Sequence, residues 1–359
     1  MFDQSALPYL LQRNTIASLS GSGMHIGDRR YYPFEKQSVR CDSVEETAKA
    51  IRDMVTQGGG PLQVGMTAMR MLARQIAMGM QPCKYETFET SCTVLSQARP
   101  TNTTLSRTLL RFLSQLCSVY PNKVLDMNTI VEHTDCIIDE FERQFDQDYD
   151  AMSNYGSSLI QDGDRILTTC FAEHSFFLSL VKAKNAGKRI AVAVCETRPY
   201  LQGARLTAPS LVESGIGCEL ITDSACAHAM SVGKVNRYMT AADVVAMDGS
   251  LANKTGTLQN ALCAKHYSCE YHAFAMSPDS SIPKAASIKN EYRDGKEICE
   301  VRGIPTTAAN VKGWYPAFDI VPAELVCAII TPKGVLKPSD IARYYALHTD
   351  SPHQSGEKS

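Results

Sequence analysis

The sequence carries no excess of either charge. Lys and Arg total 36 against 38 Asp and Glu, for a formal net charge of −2. Nothing in that balance draws the whole molecule toward nucleic acid or an anionic membrane. No apolar run approaches the ~20 residues that span a bilayer; IAVAVC at 190–195 is typical of the longest. The N-terminus lacks a basic stretch followed by an apolar core, so it does not read as a secretory signal. The thirteen cysteines include no C-x-x-C pair. They are not interleaved with histidines at zinc-ligand spacing, Cys263-x5-Cys269 followed by His272 being too loose. Internal repeats, low-complexity blocks, G-x-G-x-x-G and G-x-x-x-x-G-K-[ST] are also missing. A reduced, soluble, cytoplasmic protein without a metal, nucleic-acid or membrane partner is the expectation. Its thiols are mostly buried packing groups.

Hydrophobic residues at 44% and charged residues at 21% match a globular protein, and 359 residues suit two domains. Residues 1–40 mix short β-like stretches with turns. Ser43-Val44-Glu45-Glu46 is a capping box. It opens a helix that places Ala48, Ile51 and Val55 on one face. GGGPLQVG (58–65) interrupts it, and a second helix follows from Met66. Further amphipathic helices are expected over 85–120 and 128–150, the last opened by a second box, Thr129-x-x-Glu132. After Gly156 short apolar strands alternate with helices: 165–170, 189–195, 218–223, 236–247, 271–276 and 325–331. That alternation predicts an α/β fold with a parallel sheet. The expected domains are a mainly helical N-terminal one (1–150), a parallel-sheet one (151–349) and a flexible polar tail (350–359).

In such sheets the chemistry gathers at the carboxyl ends of strands. Polar segments sit where strands should end: Thr168-Thr169-Cys170, ETRPYLQGARLT (196–207), Asp223-Ser224 and AADVVAMDGSLANKTGT (241–257). GGGP (58–61) and Arg99-Pro100-Thr101 are the matching polar pieces of the helical part. Each alone has an ordinary structural explanation, such as packing, a helix cap or a turn. Together they converge on a phosphorylated, hydroxylated small molecule. Arg99, Lys254 and loop amides suit a phosphate, and Cys170 and Asp243 suit proton transfer.

CETRPYLQGARLT (195–207) resembles the ETRP-x-x-QGARLT segment of methylthioribose-1-phosphate isomerases. Their superfamily includes ribose-1,5-bisphosphate isomerases and the regulatory subunits of the exchange factor for translation initiation factor two. ARPTNTTL (98–105), ILTTC (166–170), MSVGKV (230–235), ANKTGT (252–257) and FDIVPAELVCAIITPKGV (318–335) resemble the family's SRPTAVNL, ILTHC, MSQGKV, ANKIGT and FDVTPAELITAIITEKGV. The resemblance implies a helical domain followed by a Rossmann-like domain, a homodimer, and aldose–ketose isomerisation of a sugar 1-phosphate in methionine salvage without metal or organic cofactor. It places Cys170 and Asp243 on the catalytic pair. It places Asn253, Lys254, Gln202 and Arg99 on substrate-binding positions, and Gly58, Gly59 and Gly60 on a phosphate loop. The translation-factor branch implies the alternative of a non-catalytic, sugar-phosphate-sensing subunit.

The chain also departs from the family pattern. Gly58-Gly59-Gly60 stands where the family has RGA. Phe171 and Glu173 follow the cysteine, Val244 follows the aspartate, and Cys195 replaces an acidic residue. Phe171 suits an apolar C5 substituent, Glu173 would repel a second phosphate, and Asp248 is the reserve acid.

Overall fold

The computed structural model describes residue 4, residues 7–99 and residues 103–349, without the side chains of Glu173 and of 347–349. The expectations for Pro100 and Thr101, for the Glu173 carboxylate and for 350–359 lie outside the described residues.

The chain opens with a short helix, α1 (Arg13–Ile16), and an antiparallel sheet of β1 (Ala17–Ser20), β2 (Gly23–Gly27) and β3 (Ser38–Cys41). Five helices follow: α2 (Val44–Arg52), α3 (Gly60–Ala77), α4 (Tyr85–Ala98), α5 (Thr103–Val119) and α6 (Ile130–Leu159). The Ser43 hydroxyl caps α2 by accepting from the Glu46 N–H at 3.1 Å. The Glu46 carboxylate accepts from the Asp42 N–H rather than from that of Ser43, so the expected box closes one residue early. Ala48, Ile51 and Val55 are buried as the periodicity predicts. At α6 the second expected box is absent. Thr129 makes no side-chain cap, and its hydroxyl lies 3.0 Å from the Tyr120 hydroxyl instead.

Helix α3 begins at Gly60, six residues before the expected start at Met66. Pro61 occupies the first turn, where its missing N–H costs nothing. Gly65 lies where an added Cβ would come within 2.6 Å of the Leu105 side chain, so α3 and α5 pack closely there. Met69, Met71, Phe88, Leu95, Phe112, Leu116 and Phe141 fill the core of this helical layer. Helix α6 continues through the composition change at 145–157 to Leu159. Gly156 brings it against the next helix, since a Cβ there would meet the Ser179 hydroxyl at 2.2 Å.

From here strands and helices alternate. They are β4 (Arg165–Thr168), α7 (Glu173–Asn185), β5 (Ala191–Cys195), α8 (Ala208–Glu213), β6 (Cys218–Ile221), α9 (Cys226–Ser231), β7 (Arg237–Ala241), β8 (Val244–Val245), β9 (Leu251–Lys254), α10 (Thr257–His266) and β10 (Glu270–Phe274). Two small hairpin pairings follow, β11 (Tyr292–Arg293) with β14 (Tyr315–Pro316) and β12 (Glu300–Val301) with β13 (Ile304–Pro305). The chain then forms β15 (Phe318–Val321), β16 (Ala328–Thr331), β17 (Gly334–Leu336) and α11 (Ile341–Thr349).

The main sheet has seven strands in the order β17-β16-β10-β7-β4-β5-β6, parallel except for β17. Numbered within this sheet alone, its parallel strands run 3-2-1-4-5-6, the doubly wound order whose switch point lies between β4 and β7. The α/β fold with a Rossmann-like parallel sheet is therefore as the sequence predicts.

The single strand expected over 236–247 is two. The Ala242 N–H still bonds to the Phe274 carbonyl of β10, whereas the Asp243 N–H bonds to the Ala252 carbonyl of β9. The chain thus leaves the main sheet at Asp243 and joins the antiparallel sheet β15-β9-β8. Among the described residues no helix is long and apolar enough to cross a membrane.

Candidate active site

The switch point places two chain reversals side by side. After β4 the chain turns at Cys170, whose φ of 65° lies in the left-handed region. After β7 it turns at Asp243. The two residues line one cavity of about 150 Å³ between the sheet's carboxyl edge and the helical layer. Gly58, Gly59, Arg99, Gln202, Asn253 and Lys254 line the same cavity. Of the candidate residues, the cavity lining leaves out Gly60 and the reserve acid Asp248. Gly60 lies outside the lining, buried beneath Arg29 and Thr56 as the first residue of α3. Asp248 is a turn residue whose carboxylate accepts from the Ser250 and Ala285 N–H groups, away from the cavity.

The cavity is electropositive on one side. Lys254 is only 3% exposed, and its ammonium donates to the Tyr315 hydroxyl at 3.1 Å. The rings of Phe318, Tyr200 and Tyr315 surround it, with centroids at 5.3, 5.5 and 5.6 Å. Burial pushes the Lys254 pKa down, and the charge of Arg99 adds to that, while Cys170 and Asp243 oppose it. Burial also pushes the Cys170 thiol up to about 11, against the pull of Lys254 and Arg99. Burial thus favours the protonated thiol, while Lys254 and Arg99 favour the thiolate.

Two polar atoms on the rim are buried without a hydrogen-bond partner, Arg99 Nη1 and Gln202 Oε1. Leaving such an atom unpaired costs roughly 1–3 kcal/mol, a cost that a bound ligand removes. Asn253 is tethered by its Nδ2, which donates to Thr257 Oγ1 at 3.1 Å, leaving its carbonyl oxygen available. The site combines an anion pocket, a polar amide pair, a carboxyl group and a thiol. That set suits a phosphorylated polyol undergoing proton transfer.

The three-glycine loop has its own geometric reasons. Gly58 takes φ 62°, where an L side chain is strained. At Gly60 a Cβ would lie 2.1 Å from Thr56 Oγ1. Phe171 lines the cavity, with the Arg29 guanidinium 5.2 Å above its ring. Val244 is buried. Cys195 lies below the site, 3.2 Å from Cys226 sulfur to sulfur.

Sequence reasoning missed several lining groups. Arg107 on α5 donates to Ser277 Oγ at 3.1 Å and to the Pro278 carbonyl at 3.0 Å. Tyr149 stacks on His174 at 4.6 Å beside Ser175. Arg99 ends α4 while Arg107 lies on α5, so no shared helical face linked the two in the sequence. Tyr315, outside the lining but bonded to Lys254, left no local signal either, because a distant hairpin delivers it.

A larger open groove of about 1110 Å³ runs along α6, but its Asp146, Asp150 and Glu140 are paired with Arg13, Lys182 and Arg143. Among the described residues no three His, Cys, Asp or Glu side chains are grouped to hold a metal ion.

Comparison with known proteins adds to this geometry. The profile of the initiation factor 2 subunit family matches residues 62–338. The chain belongs to that family. Within the initiation factor 2 subunit family it is 32% identical over 333 residues to the methylthioribose-1-phosphate isomerase of Pelotomaculum thermopropionicum, covering 89% of this chain and 90% of the relative. The crystal structure of 5-methylthioribose 1-phosphate isomerase from Pyrococcus horikoshii superposes with a TM-score of 0.78 at 26% identity, covering 98% and 99% of the two chains. The delta subunit of translation initiation factor eIF-2B from A. fulgidus superposes at 0.74 and 28% identity, covering 90% and 96%. Family membership thus embraces both enzymes and translation-factor subunits.

Proposed function

We propose that this protein is an aldose–ketose isomerase that converts 5-methylthioribose 1-phosphate, or a closely related 5-deoxypentose 1-phosphate, to the ketose 1-phosphate. The observation that carries the reading is the meeting of Cys170 and Asp243 in one cavity with Lys254 and Arg99. The kinship with methylthioribose-1-phosphate isomerases over most of the chain supports the substrate class.

In this reading Lys254, Arg99 and the amides of Gly58 and Gly59 hold the anomeric phosphate. Gln202 and Asn253 hold the sugar hydroxyls. The phosphate on O1 prevents the sugar from opening as an ordinary hemiacetal. Asp243, as the carboxylic acid, gives its proton to the ring oxygen as the C1–O bond breaks. One hydrogen then moves from C2 to C1, and the O2 proton leaves to the Asp243 carboxylate as C2 becomes a carbonyl. The Cys170 thiol stabilises charge at C2 and O2 during that transfer. Atoms and charge balance without an external oxidant, and Asp243 ends protonated for the next turnover.

The test is to incubate the purified protein with 5-methylthioribose 1-phosphate and 5-deoxyribose 1-phosphate and to follow the ketose by NMR. Turnover of neither ends the substrate assignment. A homodimer is part of the reading, and sedimentation of the purified chain tests it.

A second reading is a non-catalytic sugar-phosphate sensor. The match to an eIF-2B delta subunit and the loss of the loop arginine favour it. Sugar-phosphate binding without conversion, with a stable hetero-oligomer recovered from cells, distinguishes it from the enzyme.

A further inference from the structure

Cys170 is a non-glycine residue at φ 65°. Such a conformation costs on the order of 1–3 kcal/mol and persists only where the surroundings over-determine it. Here both backbone polar groups of Cys170 are held by threonine hydroxyls from the segment after the neighbouring strand β5, Thr197 on its loop and Thr207 at the end of a helical turn. Its N–H donates to Thr197 Oγ1 at 2.9 Å. Its carbonyl accepts from the Thr207 hydroxyl. Both threonines are buried, at 1% and 0% exposure.

Thr197 is itself held. It also has φ 65°, and its hydroxyl donates to the Cys195 carbonyl at 3.1 Å. Its N–H and that of Arg198 both donate to the Asp223 carboxylate at 2.8 Å. Asp223 stands just beyond β6. The chain of bonds therefore runs from the end of β6 to the end of β5 to the end of β4, each the sheet neighbour of the next. The same loop carries Gln202, which lines the cavity and lies between the two threonines in sequence.

We propose that Thr197, Thr207 and Asp223 are positioning residues that hold the Cys170 backbone in its left-handed turn and thereby aim the thiol into the cavity. The inference rests on the reading of Cys170 as a reacting group. Without the clamp, residue 170 relaxes to negative φ and its Cβ swings away from Asp243. Gln202 lies on the same segment as Thr197 and Thr207, between them in sequence.

The test uses the full chain and the variants Thr197→Val, Thr197→Ser, Thr207→Val, Thr207→Ser and Asp223→Asn. Two readouts are taken. One is kcat and KM on 5-methylthioribose 1-phosphate. The other is the rate at which iodoacetamide alkylates Cys170, mapped by mass spectrometry, which needs no turnover. Each Val variant loses on the order of 10²-fold in kcat, the loss expected of an ångström-scale misplacement. KM changes little, Cys170 alkylates at a clearly altered rate, and Ser restores both quantities.

Val variants that match the wild type, or Ser variants as impaired as Val, overturn the proposal. Where a Val variant fails to fold by circular dichroism, Asp223→Asn decides between the outcomes. Altered kcat and alkylation in that variant support the clamp, and wild-type values reject it. A wild type that turns nothing over sinks the isomerase reading alone, since the alkylation rates still report on the clamp.

Discussion

The Lys254 ammonium sits 3.1 Å from the Tyr315 hydroxyl, although the two residues are 61 positions apart in the chain. Lys254 comes from β9, and Tyr315 from a two-residue strand in a distant hairpin. The rings of Tyr315, Tyr200 and Phe318 surround the Lys254 ammonium. Lys254→Met removes one charge-assisted contact of roughly 1.5–3 kcal/mol, so the dissociation constant for a sugar 1-phosphate rises about 10- to 100-fold. Lys254→Arg does not rescue it, because a planar guanidinium does not fit the space between three rings. Calorimetric titration of both variants measures this, and unchanged affinity in Lys254→Met removes the residue from the phosphate site.

Cys170→Ser and Asp243→Asn each keep the wild-type circular dichroism spectrum and lose on the order of 10²–10⁴-fold in kcat, the usual yield of a positioned proton donor or acceptor. Steady-state kinetics checks this. Activity within a few-fold of wild type in either variant removes that residue from the reaction.

The Cys170 thiol is pushed up to about 11 by burial, from the ordinary 9.0. A raised folded-state pKa means that its contribution to stability is full below pH 9 and is lost as pH rises through about 11. The same shift keeps the thiolate scarce at neutral pH. Iodoacetamide labelling of Cys170 is therefore slow at pH 7.5 and accelerates up to about pH 11. A labelling midpoint for Cys170 at or below 9.0 contradicts the burial argument.

His272 sits at 4% exposure at the opposite end of the sheet, beside Arg237, which is paired with Asp164 and Glu270 at 2.7 Å each. Burial, reinforced by Arg237, pushes its pKa down to about 4 from 6.5. A depressed histidine stabilises the fold fully above pH 6.5, and the contribution is lost as pH falls through about 4. The loss is on the order of 3 kcal/mol. Urea unfolding at pH 7 and pH 4 shows it, and His272→Gln flattens that part of the profile. An equal pH dependence in the variant rejects this source of acid sensitivity.

The periodicity of α2 and the alternation of apolar strands with helices made the helical layer and the parallel sheet legible in the sequence. So were the strand ends bearing Cys170 and Gln202, because polar residues there interrupt apolar runs. The start of α3 was not legible, because three glycines before a proline read as a breaker, while tertiary packing of Gly65 against Leu105 carries the helix back to Gly60. The division of 236–247 was hidden too. Apolar residues continue on both sides of Asp243, and only the change of hydrogen-bonding partner from β10 to β9 marks the break. Asn253-Lys254 before a glycine reads as a turn, yet both lie on β9. Tyr315 and the clamp on Cys170 depend on long-range pairing, which leaves no local pattern.

An NMR time course of 5-methylthioribose 1-phosphate with the wild-type chain in deuterated water probes the proposed isomerisation without any variant. Conversion to the ketose 1-phosphate is expected. Little solvent deuterium at C1 marks a direct hydride shift, and extensive label marks an enediol. Stoichiometric binding of the sugar phosphate with no ketose formed would refute the isomerase mechanism.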